Sequence, residues 1–93
     1  MLQQTFKIVD EDGFHAGPIN ELVYVANKYL DCALFAVHQE RRVTLHSILG
    51  VLSLNLNVND ELTITAEGNQ ELAAMSALEE VINRTKIGRI IQS

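Results

Sequence analysis

Ninety-three residues, 47% of them apolar and 20% charged, are enough for one hydrophobic core, too few for two, and too apolar for a disordered chain. Seven basic residues against twelve acidic ones leave a net charge of −5, and the only basic doublet is Arg41-Arg42, so the basic footprint that nucleic acid requires is missing. No apolar run nears the roughly 20 residues of a membrane span, and "MLQQTFKIVDEDG" has no basic segment leading into an apolar stretch, as a signal peptide would. The expectation is a single cytoplasmic domain over residues 1–93, with no membrane insertion and no nucleic-acid partner. Cys32 is the sole cysteine, which excludes an intrachain disulfide and a cysteine metal cluster. Within "LDCALFAV" it reads as a small apolar packing residue.

In chain order, "LQQTFKIVD" predicts a first strand with Leu2, Phe6 and Ile8 facing inward at period two. "EDGFHAG" (11–17) is a loop with two glycines. From Pro18, residues Ile19, Leu22, Val23, Ala26, Tyr29 and Leu30 recur at helical spacing and predict about three turns of amphipathic helix. Proline suits that first turn, where its missing N–H loses no partner. "DCALFAVHQ" and "RRVTLH" predict two further strands joined near Gln39-Glu40. If Leu34 and Ala36 point inward, Ala33, Phe35 and Val37 lie on the other face of the sheet, an apolar feature that fits weak self-association.

"HSILGVLSL" is short and apolar, with Ser47 placed to cap one or two helical turns. "ELTITAE" predicts a fourth strand, with Leu62 and Ile64 inward and Thr63 and Thr65 outward. Gly68-Asn69 breaks the chain. A closing helix then carries Leu72, Met75, Leu78 and Ile82 on one stripe and Glu71, Glu79 and Glu80 opposite. The predicted fold class is α+β: an open-faced two-layer sandwich, β-α-β-β-α-β-α, in which a four-stranded antiparallel sheet carries its helices on one face. A ligand-binding ACT-like domain on a ferredoxin-like plan is the weaker alternative, because that plan ends on a strand.

Two stretches carry chemistry. In "GFHAGPIN", His15 stands just before a helix whose first amides have no intrahelical partner. Those donors and the positive end of the helix dipole favour an anion, phosphate in particular, and disfavour a protonated ring. A neutral ring nitrogen is a nucleophile that accepts a phosphoryl group, and Ala16 and Gly17 would cradle its oxygens with backbone N–H groups. In "SILGVL", Ile48, Leu49, Val51 and Leu52 are too many large aliphatics to face inward together on so short a helix. Part of the set is expected at the surface as a partner-docking patch.

At these two stretches the sequence resembles HPr, the histidine-containing phosphocarrier of the bacterial sugar phosphotransferase system. "GFHAGP" is similar to that family's Gly-(Ile/Leu)-His-Ala-Arg-Pro signature, and "SILGVLSL" to its regulatory-serine segment. "TFKI", "ELTITAEG" and "ALEE" are similar at matching places, so the likeness runs from about residue 2 to 83. The resemblance implies His15 as phosphoryl acceptor through Nδ1 and Ser47 as the serine phosphorylated by HPr kinase. It implies a docking surface of Asn20, Tyr24, Ile48, Leu49, Val51 and Leu52. Implied partners are Enzyme I upstream, EIIA domains downstream, HPr kinase/phosphorylase and a transcriptional regulator. No cofactor and no metal are implied, and the chain would be a substrate of other enzymes, a monomer or weak homodimer. One departure stands out: the family's arginine is replaced by Gly17, which leaves charge stabilisation to the helix amides. That departure supports a second reading, a regulatory HPr-like protein of carbon-catabolite control that works through Ser47 with little transfer at His15. His38 and His46 lack the short ligand spacings of zinc sites.

Overall fold

Alternation along each strand decides which side of the sheet is buried. In the computed structural model, which describes residues 1–92, the strands are β1 (Leu2–Ile8), β2 (Cys32–His38), β3 (Arg41–Thr44), β4 (Glu61–Gly68) and β5 (Gly88–Gln92). The helices are α1 (Ala16–Ala26), α2 (Ile48–Leu52) and α3 (Glu71–Thr85). Five strands lie in the order β3-β2-β4-β1-β5, each paired antiparallel with its neighbours. The register sets Phe6 opposite Leu62, Leu34 opposite Ala66 and Ala36 opposite Ile64, so these apolar side chains share one face. Against that face pack Ile19, Leu22, Val23 and Ala26 of α1 and Ala74, Met75, Leu78, Val81 and Ile82 of α3.

The sheet has five strands where four were expected. After α3 the chain reverses at Lys86, which is left-handed at φ 59°, and β5 pairs with β1 from Ile8–Gly88 onward. Buried Ile87 and the Val9 N–H bond to its carbonyl (2.9 Å) hold the new edge in place. A strand therefore follows α3 within the described residues, and the last quarter is not all helix. Two residues of the predicted helical stripes also fall outside the core. Leu30 lies beyond α1, which begins at Ala16 and stops at Ala26, while Leu72 in the first turn of α3 is 73% exposed.

The far face of the sheet carries Thr5, Thr44, Thr63 and Thr65 beside Ala33, Phe35 and Val37. Thr5 and Thr63 face each other with hydroxyl oxygens 2.9 Å apart, and Phe35 sits between Thr44 and Thr65. Phe35 is half-buried on this open face because the Arg42 guanidinium lies 3.6 Å from its ring centroid, covering the ring with a cation.

Candidate functional site

The loop from Asp10 to Phe14 is built around a glycine. Gly13 has φ +72°, and a Cβ there would stand 2.4 Å from the Leu56 carbonyl oxygen, so no other residue fits without moving the backbone. Its N–H reaches the Asp10 carbonyl at 2.9 Å, and the next N–H, of buried Phe14, donates to that Leu56 carbonyl at 3.0 Å. Phe14 is thereby anchored in the core, and the residue after it is pushed to the surface. That residue is His15.

His15 is the N-cap of α1, with extended backbone (φ −100°, ψ 176°), and its side chain makes no capping bond. The first turn is Ala16, Gly17 and Pro18. Proline has no N–H, so the free donors at this helix end belong to Ala16 and Gly17. The first turn also carries no acidic side chain. The imidazole is exposed, and its two edges have different surroundings. Nδ1 and Cε1 face Gly17, where an added Cβ would lie 3.7 Å from either atom. Nε2 faces Asp10, whose Oδ2 is 3.3 Å away. The other carboxylate oxygen of Asp10, Oδ1, accepts the Asp12 N–H at 2.9 Å. That bond is the main reason the Asp10 carboxyl is held below the ordinary carboxylate pKa, with the His15 contact adding to it.

Asp10 is not among the residues that the sequence singles out. The signal was present as an aspartate two residues before Asp12 and three before a glycine, the spacing of a side chain that closes its own turn. Asp10, Asp12 and His15 each bring one donor atom within 4.8 Å of the others, while His38 and His46, whose spacing already argues against a zinc site, lie outside that group. Those two histidines serve the fold. His38 Nδ1 lies 2.8 Å from the Glu61 carbonyl, and the His46 ring bridges Asn27 Oδ1 at 3.0 Å and the Cys32 carbonyl at 3.2 Å.

Ser47 caps α2 as expected, its hydroxyl oxygen accepting the Gly50 N–H at 3.2 Å. The short helix is pinned at its other end by Ser53, whose hydroxyl donates to the Gly50 carbonyl at 2.6 Å and whose Oγ and carbonyl accept from Arg41. Of the four aliphatics that the resemblance assigns to the docking surface, Ile48, Leu49 and Leu52 are exposed. Val51 is not: at 1% exposure it is the residue by which α2 docks into the core, and it cannot take part in a docking patch. Asn20 and Tyr24 lie on the outer side of α1, Tyr24 with the Lys28 ammonium 4.9 Å from its ring centroid. Cys32 is buried, and burial pushes its thiol pKa up, so it has the properties of a packing residue.

The architecture is an α+β open-faced sandwich with its helices on one side, an exposed histidine at the N-cap position of the first helix and a serine capping the short second one. The family model described as "PTS HPr component phosphorylation site" matches residues 2–84, and the chain belongs to the HPr family. Among solved structures it is similar to a Mycoplasma histidine-containing phosphocarrier protein, with 26% identity, 94% of this chain and 98% of that one covered, and a TM-score of 0.90. It is also similar to HPr-C-His from Thermoanaerobacter tengcongensis, with 29% identity, 89% and 92% coverage, and a TM-score of 0.82. A third is Crh, the catabolite repression protein of Bacillus subtilis, with 27% identity, 90% and 95% coverage, and a TM-score of 0.69.

Proposed function

We propose that the chain is a phosphocarrier that accepts a phosphoryl group on Nδ1 of His15 from Enzyme I and passes it to EIIA domains, with Ser47 as a regulatory phosphorylation point. The observation that carries this reading is the free cap. His15 stands at the N-terminus of an 11-residue helix, exposed, with its Nδ1 edge turned to the helix end and no bond of its own to the amides there. A phosphoryl group on Nδ1 would meet the N–H groups of Ala16 and Gly17 and the positive end of the dipole. Exposed Ile48, Leu49 and Leu52, with Asn20 and Tyr24, would form the surface on which partners dock. The protein is then a substrate of other enzymes and catalyses nothing alone.

The second reading, a regulator acting through Ser47, is favoured by Gly17. A family arginine would add a charge-assisted contact to the phosphate, and glycine supplies none. Phosphorylation with phosphoenolpyruvate and Enzyme I separates the two. Wild type should take an acid-labile label that His15→Ala abolishes. Gly17→Arg should raise the rate about tenfold, the low end for a charged hydrogen bond because the site is exposed. The substitution is sterically open, since a Cβ at residue 17 makes only ordinary contact with the ring. No label in wild type beside a working control HPr, with Ser47 labelled by ATP and HPr kinase, would establish the regulator instead.

A further inference from the structure

We infer that Asp10 is a positioning residue for phosphoryl transfer: it holds the proton of His15 on Nε2, bares Nδ1 as the nucleophile, and neutralises the ring once Nδ1 is phosphorylated. This rests on the carrier reading above.

The geometry is specific. One carboxylate makes two contacts with its two oxygens: Oδ1 takes the Asp12 N–H at 2.9 Å, which fixes the plane of the group, and Oδ2 is left pointing at Nε2, 3.3 Å away. An ionised carboxylate only accepts hydrogen bonds, so the ring nitrogen facing it must be the donor. A neutral imidazole has one N–H, so placing it on Nε2 leaves the lone pair on Nδ1, the edge that faces Gly17 and the free helix amides. The carboxylate and the phosphoryl path thus lie on opposite edges of one ring.

The chemistry needs this arrangement at its charged stage. The Nδ1 lone pair forms the N–P bond while the bond from phosphorus to the leaving atom of the protein-bound donor breaks, and that atom keeps the electron pair. The ring, neutral before, is then a phosphorylated imidazolium with its proton still on Nε2. Asp10 stays ionised and faces that cation, as the carboxylate of a catalytic triad faces its histidine. Passing the phosphoryl on reverses the step and returns the ring to its starting tautomer. In a site without the family arginine, the cation balancing the phosphate is the ring itself, and Asp10 stabilises that ring from behind.

The test uses Asp10→Asn. Its carbonyl oxygen can still accept the Asp12 N–H and keep the turn, but its amide then presents N–H to Nε2 and favours the proton on Nδ1. With ¹⁵N-labelled histidine and a chelator present, two-bond ¹H–¹⁵N correlation spectra of the neutral ring should show the Nε2–H form dominant in wild type. Asp10→Asn should shift the population toward Nδ1–H. Asp12→Asn, which leaves the ring contact intact, should not. Phosphorylation by Enzyme I should fall about three- to tenfold in Asp10→Asn and little in Asp12→Asn, in folded proteins with otherwise matching spectra. An unchanged tautomer ratio, or a changed ratio with an unchanged transfer rate, overturns the inference. A wild type that shows the Asp10-dependent tautomer and takes no phosphate overturns the carrier reading and leaves the positioning contact standing.

Discussion

The two helix starts of this molecule are built from the same backbone and do opposite things with it. His15 and Ser47 are both N-caps in extended conformation. Ser47 turns its side chain onto its own helix and satisfies the Gly50 amide, so the short α2 is closed at that end. His15 sets its Nε2 edge against Asp10 and makes no bond to its own helix, so the amides of α1 stay open. A five-residue helix is marginal and needs its cap. An 11-residue helix with Pro18, Ile19, Leu22, Val23 and Ala26 buried is held by packing and can leave its end free for a ligand. One N-terminus spends its side chain on its own helix, and the other leaves its backbone donors free.

Breaking the packing beneath the second start should have the largest effect. Val51→Ala removes a fully buried side chain that fastens α2 to the core, at a cost of about 2 kcal/mol. Leu49→Ala, two residues away and 79% exposed, should stay within about 0.5 kcal/mol. Urea denaturation of the two variants measures the difference directly. If Leu49 cost as much as Val51, the division of α2 into a buried and an exposed side would be wrong.

The caps themselves come next. Ser47→Ala leaves the Gly50 N–H without its side-chain acceptor and should cost about 1 kcal/mol. His15→Ala removes no capping bond and should change stability by less than about 0.5 kcal/mol, although it should abolish phosphoryl acceptance. The same denaturation experiment compares them. An equal loss at both positions would mean that His15 also serves its helix.

Much of this arrangement was legible in the sequence because local rules agreed with the global fold. Period-two apolar residues in β1, β2 and β4 placed Phe6, Leu34, Ala36, Leu62 and Ile64 inward, and all are buried. Ser47 before a short apolar run announced a cap, and one is present. What escaped depends on tertiary contacts or on unusual backbone. β5 follows a helix end where Lys86 takes the left-handed conformation usually given to glycine, so no turn residue marked it, and "IGRII" was too short to stand as a strand without β1 beside it. Val51 could not be told from Leu49 and Leu52 because a helix of one to two turns has too few positions to define a face. Asp10 lies five residues before His15, and only the turn closed by Gly13 brings its carboxylate to the ring.

The smallest difference between the two starts is electrostatic, and it has a sign that pH can read. Asp10 is held below the ordinary carboxylate pKa in the folded protein, chiefly by the Asp12 N–H, whereas the unfolded chain returns it to about 3.9. The unfolded state therefore binds the proton more tightly, and the Asp10 contribution is fully present above that ordinary value. It fades as pH falls through the lowered native value. Asp10→Asn keeps a neutral acceptor for the turn but cannot titrate, so the stability gap between it and wild type should shrink on acidification, within the carboxylate range. Ser47 carries no charge, and the gap produced by Ser47→Ala should stay level over the same pH series. Denaturation at each pH checks both lines. Parallel slopes would show that the carboxylate contributes nothing beyond its neutral hydrogen bond, and the contrast between a charged and an uncharged helix start would reduce to shape alone.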